Sequence, residues 1–193
     1  MLNRSLALAG VLLLTAVPAA VWAQGRPDPA ALVAAQAEAM DELSFMDGEW
    51  RGSAWTFTPS GEKHAIIQTE RVGPFLDGSI KVIEGRGYEE DGSIAFNAFA
   101  IISYDPADGR YSMRSYAQGR SGDFVVTPTE EGFTWEIPAG PMTIRYEATV
   151  RDGTWTEVGD RIAPNQDPIR FFEMTLTREG DTDWPAAAAV APE

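Results

Sequence analysis

The stretch "FMDGEW", residues 45–50, divides the chain in two. Upstream the sequence is Ala-rich and spaced like a helix; downstream, short runs of alternating apolar and polar residues are separated by turn residues. That change of period decides the fold, because apolar residues three or four apart mark one face of a helix, while strict alternation marks a half-buried strand. In the upstream segment, "PDPAALVAAQAEAMDELSFM" (27–46), Asp28 is placed to cap a helix and Pro29 to occupy its first position. Leu32, Ala35, Ala39, Met40 and Leu43 then share one side. A single N-terminal helix is expected over 27–46, packed on the domain as a lid or buttress.

Downstream, about ten β-type runs extend from "EWRGSAWTF" (49–57) to "IRFFEMTLTR" (169–178). Between them lie turn signals such as "TPSGE", "EEDG", "DPADG", "QGRSG", "PAGP" and "RDG". Connections this short make neighbours in sequence antiparallel neighbours in space. A meander of such length closes on itself, since closure removes two unpaired edges and no second helix is available to cover them. The expected architecture is all-β: an antiparallel up-and-down barrel of about ten strands over 47–178, with one N-terminal helix.

The two ends read differently. Residues 1–23 combine a basic start, "MLNR", with an apolar run and a small-residue cleavage pattern, Val21-Trp22-Ala23. This is the pattern of a cleaved export signal, and an exported, periplasmic or secreted protein is expected. Pro18 interrupts the apolar run, which is shorter than the roughly 20 residues that span a bilayer, so no membrane anchor is expected. At the other end "EGDTDWPAAAAVAPE" (179–193) has no period and reads as a disordered tail.

Charge and composition narrow the function. The chain carries 15 basic and 29 acidic residues, a formal net charge of −14. Loss of the signal removes only Arg4, leaving a protein that repels nucleic acid and anionic membranes. Cysteine is absent, so stability comes from burial and thiolate zinc sites are excluded. His64 is the only histidine, which excludes a site built from several imidazoles, and no metal is expected. A Ser/His/acid triad would depend on His64, and no Gly-x-Ser-x-Gly elbow is present. "GRGYEE" (85–90) has two glycines without a third and no helix to receive a phosphate, so it reads as a strand end and turn. An outer-membrane barrel shares the signal and the strands, but the polar tail after the last strand sets a soluble barrel first.

"GEW" at the start of the first strand, "FNAFAIISYDPADGRYSMRSYAQG" in the middle and "FFEMTLTR" at the close resemble the calycin superfamily. Its members include lipocalins, fatty-acid-binding proteins and nitrobindin-like haem barrels, and the closer likeness is to bacterial lipocalin-like domains of unknown function. The resemblance covers roughly residues 43–178. It implies that Trp50 points inward at the closed end of the barrel under Arg178 of the last strand. In nitrobindin-like relatives a histidine on a late strand holds haem, and this chain has none after His64. No cofactor is expected.

Alternation along the strands tests the carried-over pair. Arg178 shares a face with Leu176, Met174 and Phe172, so it can point inward and stack on Trp50 as a cation–π pair. The same parity turns Gly52, Ala54 and Thr56 inward with Trp50, and small inward residues leave room for a cavity. Trp55 and Phe57 then face outward, where the helix is expected to cover them. Arg170, eight residues before Arg178 on the same face, falls near the opposite mouth. It either holds an anionic group of a ligand or lies in solvent. Met113, Trp135, Tyr146 and Met174 occupy the apolar faces of their strands and are the expected cavity lining, with a plain core role as the alternative.

These observations lead to an exported barrel that binds a small apolar or amphipathic molecule, as carrier or scavenger. Two alternatives stay open. One is a barrel isomerase or cyclase working with a buried carboxylate, such as Glu157 or Glu173, and a tyrosine; the other is a packed module with no ligand.

Overall fold

The computed structural model describes residues 28–184, so the export signal expected over 1–23 and the tail beyond 184 lie outside the described residues. Helix α1 (Pro29–Asp41) begins where Asp28 caps it, the carboxylate accepting from the Ala30 N–H at 3.1 Å. It ends earlier than expected, and a 3-10 turn (Ser44–Met46) carries the chain into the first strand. The strands are β1 (Gly48–Phe57), β2 (Lys63–Phe75), β3 (Ile80–Tyr88), β4 (Ile94–Asp105) and β5 (Arg110–Ala117). There follow β6 (Arg120–Thr129), β7 (Gly132–Ala139), β8 (Met142–Arg151), β9 (Thr154–Ile162) and β10 (Ile169–Gly180). Each pairs antiparallel with its neighbour in sequence, and β10 closes on β1. The result is the all-β, ten-stranded up-and-down barrel with a single N-terminal helix that the pattern predicts.

Local chemistry accounts for the tight turns. Gln118 and Gly119 have φ of 49° and 76°, and Asp152 and Gly153 have 52° and 72°. Paired positive φ values are those of two-residue hairpins whose twist matches the strands they join. Because two residues suffice, β6 begins at Arg120, earlier than the "QGRSG" turn suggests.

In an up-and-down barrel alternate hairpins gather at opposite ends, and here the ends differ. Helix α1 lies against β3 and β4 at the end where the chain enters β1. Gln36 donates to the Tyr104 carbonyl at 3.2 Å, and the Tyr111 hydroxyl donates to the Ala39 carbonyl at 3.0 Å. Leu43 and Met46, just beyond the helix, have no exposed surface and meet Val72, Ile102 and Leu176 in the core. Burial of each such side chain is worth about 1.5–3 kcal/mol. The helix therefore plugs this end. Contrary to expectation, it does not cover Trp55 and Phe57, because those residues lie toward the far end of β1; they pack on each other at 5.4 Å, with Lys63 over the Trp55 ring.

"FMDGEW" ties the plug together. The Trp50 indole N–H donates to the Met46 carbonyl at 2.9 Å, and its ring meets Trp155 edge-on at 5.7 Å. Asp47 pairs with Lys81, which is almost wholly buried; burial raises the Asp47 carboxyl's pKa and the Lys81 charge opposes that rise. Gly48 has φ of 135°, and a Cβ there would sit 2.6 Å from the Gly180 carbonyl oxygen. Arg178 is the register partner of Trp50, as expected. Its guanidinium, however, donates to the Asp47 carbonyl at 3.2–3.3 Å and to Asp181 at 2.6 Å, so the expected stack on Trp50 is replaced by hydrogen bonds that close the same end.

β10 continues past Arg178 to Gly180, and the next residues stay attached to the barrel. Trp184 packs edge-on against Phe75 at 5.8 Å, with Arg71 over its ring and bridging to Glu49 and Asp183. Residues 179–184, expected as the start of the tail, thus pack on the barrel.

Candidate functional site

Away from the plug, the inward side chains shrink. Gly85, Ala98 and Ala117 stand opposite one another across β3, β4 and β5, and all three border open space. Ala54 of β1 and Ser115 of β5 border it too. Facing these small residues is a wall of rings from β7–β10, with Trp135 and Tyr146 stacked at 4.2 Å and 6° between planes. Phe171 and Phe172 meet Tyr146 edge-on at 5.8 and 5.7 Å. Gly159, the register partner of Tyr146, makes that wall possible: a Cβ would lie 2.9 Å from the Tyr146 ring and 3.1 Å from Phe172. The space enclosed is a cavity of about 1030 Å³.

Met113, Trp135, Tyr146 and Met174 all border this cavity, so the structure brings four of the expected lining residues to one place. Trp50 and Arg178 lie at the plug. Gly52 faces inward but contributes no volume, because the β10 backbone at Thr175 fills the place a side chain would take. Arg170 is displaced. An irregularity in the β9–β10 register between Arg170 and Phe172 interrupts the alternation, so Phe171 and Phe172 both reach the cavity. Arg170 instead donates to Asp160 at 2.6 and 3.2 Å and to Glu173 at 3.2 Å. With its charge neutralised on the outer face, it has no part in the cavity. His64 borders the mouth, half-exposed, with its Nε2 3.1 Å from Glu89.

The polar chemistry lies deeper. Glu157 is buried, borders the cavity and accepts from the Trp135 indole N–H at 3.1 Å. Burial pushes its carboxyl up to about 7, against the pull of the Trp135 and Trp155 N–H groups. The Trp155 N–H lies close enough to favour the charged form, yet it meets no partner at hydrogen-bond geometry and is fully buried. Glu70 projects into the same space, with Gln68 donating to it at 2.7 Å. Burial pushes Glu70 up to about 8, and the nearby Glu157 and Glu84 charges add to the rise. Glu70 is partly accessible and borders the cavity.

Glu157 was legible in the sequence as a candidate; Glu70 and Gln68 were not. "KHAIIQTERV" places His64, Ile66, Gln68, Glu70 and Val72 on one face, a mixture that does not announce an inward direction. The available signal was the glycine pair in "GRGY". Gly85 and Gly87 stand opposite Glu70 and Gln68 in the register, and a Cβ on Gly85 would lie 2.8 Å from a Glu70 carboxylate oxygen. Those glycines make room for polar side chains on the neighbouring strand.

No protein-family model matches the chain, and no curated protein does. Solved structures do match, among them the crystal structure of Rv2717c from M. tuberculosis, with a TM-score of 0.55 and 10% identity over 73% of this chain and 97% of that one. The likeness is one of fold.

Proposed function

We propose that this protein is an exported, lipocalin-like barrel that binds a small, largely apolar molecule in its open half, as carrier or scavenger. The cavity carries the reading. Its volume of about 1030 Å³ matches the upper end of the roughly 300–1,000 Å³ typical of small-molecule sites, and its lining is mostly aliphatic and aromatic. A fully packed module would fill that volume. The isomerase or cyclase reading draws support from Glu157, whose pKa near neutrality suits a general base. Among the described residues, though, no hydrogen bond joins the Tyr146 hydroxyl to either carboxyl, and its stacking on Trp135 suits a wall better than an acid catalyst. Ion pairs on the outer face, Arg145–Glu136 and Arg114–Asp123, favour a water-facing barrel, since a lipid-facing band would have to bury them.

The test is direct. Organic extracts of purified protein are expected to yield a bound small molecule by mass spectrometry, and the neutral dye N-phenylnaphthylamine to brighten on binding and be displaced by that molecule. No extractable ligand together with no dye binding would defeat the proposal. Export is checked separately: the protein recovered outside the cytoplasm is expected to begin at Gln24.

A further inference from the structure

We infer that the ligand is an organic ammonium ion, its nitrogen held by Glu70 and Glu157 in the depth of the cavity and its apolar body lying along the aromatic wall. This rests on the binding reading above and adds the chemical class. On the exterior of the barrel Arg51, Arg86, Arg110, Arg114, Arg145 and Arg170 each pair with a carboxylate. Inside, the pattern is reversed. Among the described residues neither Glu70 nor Glu157 has a cationic partner, although both border the one cavity and the Glu157 charge adds to the rise at Glu70. What surrounds them is neutral hydrogen-bond donors, with Trp135 on Glu157 and Gln68 on Glu70.

Donors of this kind fit the carboxylate form and supply no compensating charge, so the site is complete only when a cation arrives. The Trp155 N–H, buried and without a geometric partner beside Glu157, is a second sign that the arrangement is unfinished. A metal ion would need further oxygen or nitrogen ligands, and no group of three or more candidate ligands occurs among the described residues. An ammonium needs only two or three acceptors, which two carboxyls provide. Among the described residues the other charged or titratable groups about the site are Glu84 near Glu70, Arg161 near Tyr146, and Arg120 and His64 at the mouth. None of the cations reaches the carboxyls as a partner.

Because burial holds both carboxyls partly protonated, cation binding displaces protons, and this gives the test its signature. Three competitors with the same body, phenethylammonium, phenethyl alcohol and hydrocinnamate, are titrated against N-phenylnaphthylamine bound to the full-length exported protein. The ammonium is expected to displace dye at least about tenfold more effectively than the alcohol, with hydrocinnamate the weakest. Calorimetry in buffers of different ionisation heat is expected to show proton release on binding the ammonium. Glu157→Gln and Glu70→Gln are each expected to abolish the preference of the ammonium over the alcohol, and the wild-type series decides the matter should either variant fail to fold. If dye binds but the alcohol or the acid competes as well as the ammonium, the ammonium inference falls and the binding reading stands. If neither dye nor any competitor binds, both fall.

Discussion

The same ten strands build a solid end and a hollow one, and the difference lies in the volume of the inward side chains. On β4, Ile102 is fully buried in the plug, whereas Ala98 borders the cavity. On β1, Trp50 fills the plug and Ala54 borders the cavity. Backbone closure therefore does not determine whether a barrel is hollow; it is the order of large and small residues along each strand. The plug is further secured by Leu43 and Met46 from the entering chain, which have no counterpart at the mouth among the described residues.

The comparison is broken most severely at Trp50. Trp50→Ala removes a buried ring that touches Trp155 and donates to Met46, and is expected to cost about 3–5 kcal/mol in chemical denaturation. The molecules that remain folded are expected to bind N-phenylnaphthylamine as before. Unchanged stability with loss of dye binding would place the site at the plug instead.

The hollow end has a pH signature of its own, set by Glu70 and Glu157. The unfolded chain loses the Glu70 proton near the ordinary 4.5, while the folded barrel keeps it to about 8. Within that window the folded state binds more protons, so stability falls as pH rises from 4.5 to 8 and levels off above. Glu157 acts in the same direction between 4.5 and about 7. Glu70→Gln is expected to raise stability by about 2 kcal/mol at the top of the window, less than the full shift implies because cavity solvent screens the charge, and to leave it unchanged below pH 4.5. Thermal melts across this range check it; a Glu70→Gln curve parallel to the wild type would show that the carboxyl is not desolvated.

What was legible in the sequence follows the strength of each local signal. Turn residues and alternation are dense, so strand order, closure and the lone helix could be read in advance. Met113, Trp135, Tyr146 and Met174 were also readable, because each sits on the more apolar face of its strand. Arg170 was misplaced because the irregularity beside Phe171 leaves no mark in a run that is apolar on both sides of the break. Gly52 misled for another reason: glycine at an inward position signals either empty space or a close backbone, and only the packing of β10 distinguishes them. Glu70 was hidden because an acidic residue in a strand ordinarily faces water. The sign of its inward direction lay on the neighbouring strand, in Gly85 and Gly87.

Arg178 sharpens the comparison on a smaller scale. Its bond to Asp181 is to a nearly fully exposed partner and is worth little, so the Asp47 carbonyl is the contact that counts. Arg178→Ala is expected to cost about 1 kcal/mol in denaturation, with dye affinity unchanged. A loss several times larger would restore the expected stacking on Trp50 as the dominant contribution.

The smallest effect on stability should accompany the largest on binding. Ala98 lies at the middle of the belt it forms with Gly85 and Ala117, and its Cβ faces the cavity rather than another side chain's core. Ala98→Phe would place a ring in space that is already there, so the overpacking that usually costs about 1–3 kcal/mol in a filled core has no surface to press against. Stability is expected to change by less than about 1 kcal/mol, because the ring gains burial against Trp135 and Tyr146 while filling volume. Dye binding is expected to disappear. The same exchange at the plug, Ile102→Phe, has no such space and is expected to destabilise by the full overpacking cost. If Ala98→Phe unfolded the protein as Ile102→Phe does, the two halves would be equally packed, and a binding function would lose its physical basis.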